Sequence, residues 1–123
     1  MHDPISDRIG TELLFENDRV RVWDLRLQPG EASPAHRHRG DYLFIQVTPS
    51  RVEAHDGGAE PALTEGDDGF VQYTEVGSGL VHRIVNRAEL PFREILVEFT
   101  GPSRAAAPQA RQTNGRARAG DRR

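Results

Sequence analysis

The sequence predicts an all-β fold, a single sandwich or barrel of short strands. Short apolar runs recur along the chain and are separated by turns that contain glycine and proline. No segment keeps a 3.6-residue apolar repeat bounded by capping residues, so helices are not expected. The chain has 123 residues and no cysteine. It therefore fits one domain and excludes disulfide scaffolds and zinc folds with cysteine ligands.

The first two strands are predicted on either side of the turn at Asn17-Asp18. Thr11–Glu16 forms the first strand and Arg19–Gln28 the second. The apolar positions of the second strand change parity between Val22 and Trp23, which predicts a β-bulge or a twist at this point. We expect Trp23 to be a core or dimer-interface aromatic residue and not a stacking platform for a ligand.

The later strands follow in chain order, each ended by a turn signal, and their predicted ranges are Asp41–Thr48, Arg51–His55, Phe70–Tyr73, Leu80–Asn86 and Arg93–Phe99. Asp41–Thr48 is apolar on both faces, which is typical of a strand covered on both sides. Arg93–Phe99 alternates, with Ile95, Val97 and Phe99 on one face and Glu94 and Glu98 on the other.

Charge divides the chain into two parts. Residues 1–102 carry 18 acidic residues and 10 arginines, a net charge of −8, whereas residues 103–123 carry 6 arginines and one acid, a net charge of +5. We expect a folded domain over 1–102 and a basic, disordered tail over 103–123, because the tail has no large apolar residue to bury. An acidic domain does not favour binding to nucleic acid; a tail that binds it is a weaker hypothesis.

Two histidines separated by one residue are the strongest chemical signal. In an extended strand, the rings of His36 and His38 lie on the same face, about 7 Å apart along the backbone. Pro34 and Gly30 make a helix unfavourable here. The two rings are therefore candidate ligands of one metal ion, although an exposed, polar edge strand gives the same pattern.

The surroundings of these histidines resemble the two motifs of the cupin superfamily. Gly30, His36 and His38 match the first motif, and Gly79, His82 and Asn86 match the second with the correct internal spacing. The small cupins of the β-alanine-degradation type are the most similar, through the run His-Arg-His-x-x-Asp-Tyr. The resemblance implies a jelly-roll barrel, or double-stranded β-helix, with His36, His38 and His82 as ligands of a divalent iron, zinc, nickel or manganese ion.

One ligand of the family pattern is missing. The family's glutamate falls at position 42 or 43, where this chain has Tyr42 and Leu43. Three alternatives could complete the metal's coordination shell: Asp41 reaches the metal, Tyr42 lies over it, or water and substrate take the open positions. If Tyr42 points inward, Phe44 and Gln46 do as well. We favour that parity and assign Tyr42 and Asp41 as candidate catalytic residues.

The resemblance implies a metal-dependent enzyme that acts on a small, anionic organic molecule, as a dioxygenase, an isomerase or cyclase, or a decarboxylase or lyase. Arg83 and Arg87 would hold a substrate carboxylate, or belong to a solvated strand face. Asn86 is expected to anchor a turn and His55 to lie in a surface turn. A non-catalytic ligand-binding or regulatory module is the alternative, favoured by the missing glutamate.

Three further expectations concern partners and location. A domain of about 100 residues has a thin core and exposed sheet edges, so pairing into a homodimer is expected. No apolar run is long enough to cross a bilayer, and the N-terminus lacks the basic and apolar regions of a secretory signal. We therefore predict a cytoplasmic protein with no membrane or nucleic-acid partner.

Overall fold

The computed structural model describes residues 5–56 and 60–105, together with the backbone of Arg111–Asn114. The described chain contains ten strands, which are β1 (Glu12–Glu16), β2 (Val20–Leu27), β3 (His36–His38), β4 (Tyr42–Gln46), β5 (Ser50–His55), β6 (Ala62–Gly66), β7 (Val71–Glu75), β8 (Leu80–Asn86), β9 (Phe92–Phe99) and β10 (Arg111–Asn114). No helix occurs among the described residues, hence none that is long and apolar enough to span a membrane.

The strands form two antiparallel sheets. The larger sheet has the order β1-β2-β9-β4-β7-β10, and the smaller sheet has the order β3-β8-β5-β6. Buried side chains from both sheets form one core, in which Trp23, Leu25 and Leu96 of the larger sheet pack with Ile84 of the smaller sheet. The predicted all-β fold of two sheets around one core is confirmed.

The irregularity expected near Trp23 lies on the partner strand. The register between β1 and β2 shifts between Leu13 and Phe15, directly opposite Val22 and Trp23. The pairing of β2 with β9 is regular throughout. The extra residue is therefore carried by β1. Trp23 is fully buried in the core, as predicted.

Strand β9 alternates as predicted, and the structure shows which face is inside. Its buried side chains are Phe92, Glu94, Leu96 and Glu98, whereas the residues between them are only half-buried. The predicted grouping of the two glutamates on one face is confirmed, and that face is the interior. The apolar face of β9 is the outer surface of the larger sheet.

Three strands lie outside the predicted ranges. β3 is the extended segment on which the shared face of His36 and His38 depends, whereas β6 and β10 have no counterpart in the prediction. β6 is exposed along most of its length and therefore has no alternating apolar pattern, and β10 lies in the basic C-terminal part of the chain. The backbone of β10 pairs with β7, from Arg111 opposite Glu75 to Asn114 opposite Gln72. The division of the chain at residue 102 remains a prediction, because 106–110 and 115–123 lie outside the described residues.

Asn86 anchors the end of β8, as predicted. Its side chain is fully buried, and its Nδ2 donates hydrogen bonds to the backbone oxygens of Leu27 and Leu90 at 3.1 and 3.0 Å. Its Oδ1 accepts one from the Ala88 N–H at 2.9 Å. One amide thus ties β8 to β2 and closes the turn before β9.

Candidate metal centre

The strand pairing brings the three predicted histidine ligands together. β3 pairs with β8 so that His36 lies directly opposite His82. His38 follows His36 by two residues and therefore shares its face of the strand. The ligand nitrogens of the three residues all lie within 4.8 Å of one another, and among the described residues they form the one cluster of this kind. This cluster is called the histidine triad below.

The histidine triad is shielded from solvent. The exposed fractions are 3% for His36 and 1% for His38, and 13% for the side chain of His82. The Nε2 atoms of His38 and His82 lie 2.9 Å apart. Each pair of rings meets edge to face, with centroids 4.7 or 4.8 Å apart.

Hydrogen bonds at the outer nitrogens orient two of the rings. His36 Nδ1 lies 2.9 Å from the carbonyl oxygen of Pro34, and His82 Nδ1 lies 3.2 Å from the Asp56 carboxylate. Both partners only accept hydrogen bonds, so the Nδ1 atoms carry the hydrogens and each Nε2 keeps its lone pair. Metal-binding histidines are held in this way, and the donor set therefore fits a divalent metal ion.

Burial keeps the imidazoles of His36 and His38 neutral. Desolvation, followed by the charge of His82, lowers the pKa of His36 to about 4. The same two causes, and then the charge of His36, hold the pKa of His38 well below its usual value. A neutral imidazole has the free lone pair that a metal requires.

Tyr42 points inward beside the histidine triad. Its ring stacks on the ring of His38 with centroids 3.9 Å apart, and its side chain is 3% exposed. Phe44 and Gln46 line the same interior, so the predicted parity of β4 is confirmed. Burial raises the pKa of Tyr42, so the phenol keeps its proton near neutral pH. Its catalytic role remains a prediction.

Asp41 does not reach the metal centre, which corrects its assignment as a candidate fourth ligand and catalytic residue. Its carboxylate accepts hydrogen bonds from the Val76 N–H at 3.0 Å, the Ser103 hydroxyl at 2.6 Å and the Arg104 N–H at 2.7 Å. The parity that turns Tyr42 inward turns Asp41 to the opposite face. Burial by itself would raise the pKa of Asp41. The hydrogen bonds together lower the pKa by more than burial raises it, so the pKa of Asp41 lies below its usual value.

The histidine triad opens into a cavity of about 310 Å³ between the sheets. Apolar side chains cover much of its wall, including Leu25, Phe44, Ile84 and Leu96. Among the described residues that line it, Asp56, Glu65 and Glu94 are acidic and none is arginine.

The arginines considered for a substrate carboxylate lie elsewhere. Neither Arg83 nor Arg87 lines the cavity; Arg83 is exposed, and Arg87 pairs with Glu53 at 3.0 Å. Arg83 and Arg87 therefore belong to a solvated strand face, which was the alternative to binding a substrate carboxylate. His55, expected in a surface turn, lies at the end of β5 and also contacts Glu53, at 2.8 Å.

Sequence reasoning missed two residues of the site. Asp56 belongs to no motif of the sequence, and only its position directly after β5 places it beside His82. Glu94 was placed on the correct face of β9, but alternation alone does not tell which face is buried. The signal for Glu94 in the sequence was a charged residue within a strand that is otherwise largely apolar.

No protein-family model matches the sequence, and no curated protein matches it. Solved structures do resemble the fold. A cupin domain from Bordetella pertussis superposes with a TM-score of 0.66 at 21% identity, covering 80% of this chain and 99% of that chain. A cupin superfamily protein from Desulfitobacterium hafniense gives a TM-score of 0.56 at 14% identity, covering 80% and 84%.

A conserved protein from Klebsiella pneumoniae with a double-stranded β-helix domain also gives a TM-score of 0.56, at 16% identity, and covers 94% of this chain and 91% of that chain. The chain therefore has the double-stranded β-helix fold of cupin proteins. At these identities the likeness establishes the fold alone, and the argument for function comes from the site.

Proposed function

We propose that this chain is a small metal-dependent cupin enzyme in which His36, His38 and His82 hold one divalent metal ion. The observation that carries the proposal is the convergence of three imidazoles, two of them buried, whose ligand nitrogens lie within 4.8 Å of one another at a cavity that fits a small molecule. When bound, the ion supplies Lewis-acid chemistry or, if it is iron, redox chemistry with oxygen.

The protein residues around the histidine triad have separate roles in this proposal. Asp56 orients His82 through its Nδ1–H. Tyr42 packs on His38 and keeps a protonated hydroxyl, which would donate a hydrogen bond to a ligand. The apolar walls formed by Leu25, Phe44 and Leu96 exclude water, which strengthens polar interactions inside the cavity.

Metal binding is tested by titrating the metal-free full-length protein with Co²⁺ and following the visible absorption bands of the bound ion. We expect saturation at about one ion per chain. His36→Ala should weaken binding strongly because it removes one of three ligands, whereas His55→Ala, a histidine outside the triad, should bind like the wild type. Equal binding by His36→Ala and the wild type would contradict the proposal.

A non-catalytic ligand-binding or regulatory protein is the second candidate. It is favoured by the composition of the cluster, which among the described residues contains three histidines and no carboxylate. Turnover and oxygen uptake should be screened with metal-loaded wild type, His82→Ala and His55→Ala. Activity that disappears only in His82→Ala supports an enzyme, and equal results for all three proteins support a binding module.

Membership of the β-alanine-degradation type of cupins, a homodimer and a cytoplasmic location complete the proposal. The dimer is supported by half-buried side chains paired directly across the outer face of the larger sheet: Val22, Val97, Leu43 and Tyr73. Replacing Val97 by glutamate would place a charge in the middle of this row. We expect wild type to sediment as a dimer and Val97→Glu as a monomer; a monomeric wild type would contradict this part.

A further inference from the structure

We propose that the cavity binds a small molecule carrying a protonated amine, and that the Glu94 carboxyl is the group that receives the amine. The inference rests on the proposed function in one respect only, namely that this cavity is the ligand site. The chemical class of the ligand follows from the residues at the end of the cavity that is remote from the histidine triad.

Glu94 is a buried carboxyl group with no hydrogen-bond or ion-pair partner in the part of the chain that the structure describes. It is 6% exposed and lines the cavity from β9. In the sheet it lies between Leu25 of β2 and Gln46 of β4. Leu25 offers no donor, and the Gln46 amide donates instead to the Thr48 carbonyl at 3.3 Å. Among the described residues, none donates a hydrogen bond to Glu94, so its oxygens are free to bind a ligand.

The charges of the cavity wall point to a cationic ligand group. The carboxylate of Asp56 already contacts His82, and that of Glu65 contacts Arg51 at 3.3 Å near the solvent. Within the described part of the chain, Glu94 alone of these three acids has no cationic or donor partner, and no arginine lines the cavity. A buried carboxyl group is most strongly stabilised by a charged donor, and here the ligand must bring it.

The register of β4 places Glu94 away from the histidine triad. Tyr42 stacks on His38, and Gln46, which pairs with Glu94, lies four residues further along the strand. Four residues of extended chain span about 13 Å. Phe44 and Leu96 lie between these two ends. The cavity therefore has a metal-binding end, an apolar middle and a carboxyl end, which fits an aminoalkyl group whose amine reaches Glu94.

The protonation of Glu94 agrees with this assignment. Burial raises its pKa to about 8 by removing the carboxyl group from water. An aliphatic amine, with a pKa near about 10, is protonated at neutral pH and would restore charge pairing on binding. An alcohol of the same shape supplies a hydrogen bond but no charge, so it should bind more weakly.

The proposal is tested by NMR titration of the metal-free, full-length wild-type protein at pH 7. The affinities of n-butylamine, 1-butanol and butyrate are measured from the shifts of the amide signals. We expect n-butylamine to bind at least about tenfold more tightly than 1-butanol, with butyrate the weakest. Glu94→Gln keeps the shape of the side chain and should reduce the amine preference below about twofold. Glu65→Gln, the matched change at an acid already paired with Arg51, should keep it.

Amine binding that is absent, no tighter than alcohol binding, or unchanged in Glu94→Gln would overturn the proposal. The wild-type ranking of the three probes decides this even if Glu94→Gln does not fold. His36→Ala separates the two proposals, because its cavity lacks a metal ligand but retains Glu94. An amine preference in His36→Ala that has lost Co²⁺ binding would support both proposals, whereas an amine preference in a wild type that does not bind Co²⁺ would support this inference and contradict the metal-dependent function.

Discussion

His82 donates its Nδ1 hydrogen to Asp56 over 3.2 Å, and this contact fixes which nitrogen of the ring faces His36 and His38. Asp56 directly follows β5, and β5 pairs with β8, which carries His82. The sheet that carries the three candidate metal ligands therefore also carries the group that orients one of them. A carboxylate in this position sets the tautomer and raises the basicity of the ligand nitrogen.

Asp56→Ala should weaken metal binding by about 10- to 100-fold, because His82 loses the partner that holds its ring. Co²⁺ titration measures the change. Asp68→Ala, at an exposed acid away from the cavity, is the control and should leave binding unchanged. Asp56→Glu should restore part of the affinity. An Asp56→Ala protein that binds like the wild type would show that Asp56 has no orienting role.

Asp41→Ala should lower the free energy of unfolding by about 2–4 kcal/mol, since the Val76 and Arg104 N–H groups and the Ser103 hydroxyl lose their acceptor. Urea denaturation measures this loss. Co²⁺ affinity should not change, because Asp41 lies on the opposite face of its strand from Tyr42. A loss of metal binding without a loss of stability would return Asp41 to the metal centre.

The same residue should contribute to acid sensitivity. The pKa of Asp41 is lowered in the folded protein, so its stabilising contribution is complete above the unfolded pKa of about 4 and disappears as the pH falls through the folded value. The unfolding free energy of the wild type should therefore fall more steeply below about pH 4 than that of Asp41→Ala. Parallel curves would exclude this contribution.

Glu94 should have the opposite effect on stability. Its pKa rises from 4.5 to about 8 on burial, so the folded protein holds a proton that the unfolded chain releases between these values. The unfolding free energy should decline as the pH rises through this window, by on the order of 4 kcal/mol. Glu94→Gln should remove most of this decline in urea denaturation at pH 5 and pH 8. A wild-type curve that is flat over this range would contradict the burial of an unpaired acid.

Asn86→Ala should lower the free energy of unfolding by about 2–4 kcal/mol, because two backbone carbonyls and one N–H lose a buried partner. Urea denaturation again gives the value. Gln28→Ala, at an exposed position, should change stability by less than about 0.5 kcal/mol. Similar values for the two variants would show that Asn86 does not anchor the turn.

The strands that could be predicted from the sequence are those with several large apolar residues between turn signals. Leu80–Asn86 is observed with the predicted bounds, and β9 begins one residue earlier than predicted, at Phe92. β6 has no buried face, so the apolar pattern on which the prediction depends is absent. β10 is defined by its backbone pairing with β7, and that information is not local in the sequence.

The metal centre was predictable in part. His36 and His38 are brought together by their own strand, whereas His82 required either the cupin resemblance or the pairing of β3 with β8. The parity of β4 decided between Tyr42 and Asp41, and a pattern that is apolar on both faces does not settle parity. Glu94 shows the same limit, because the choice of inner face depends on packing between sheets.

Metal content of the purified, untagged protein tests the central claim most directly. Elemental analysis should find about one iron, zinc, nickel or manganese ion per chain in the wild type and in His55→Ala, and close to none in His36→Ala and His82→Ala, provided that all four proteins are folded by circular dichroism. Equal metal content in the wild type and the His36 and His82 variants, or a wild type that neither contains nor takes up a divalent ion, would contradict the account.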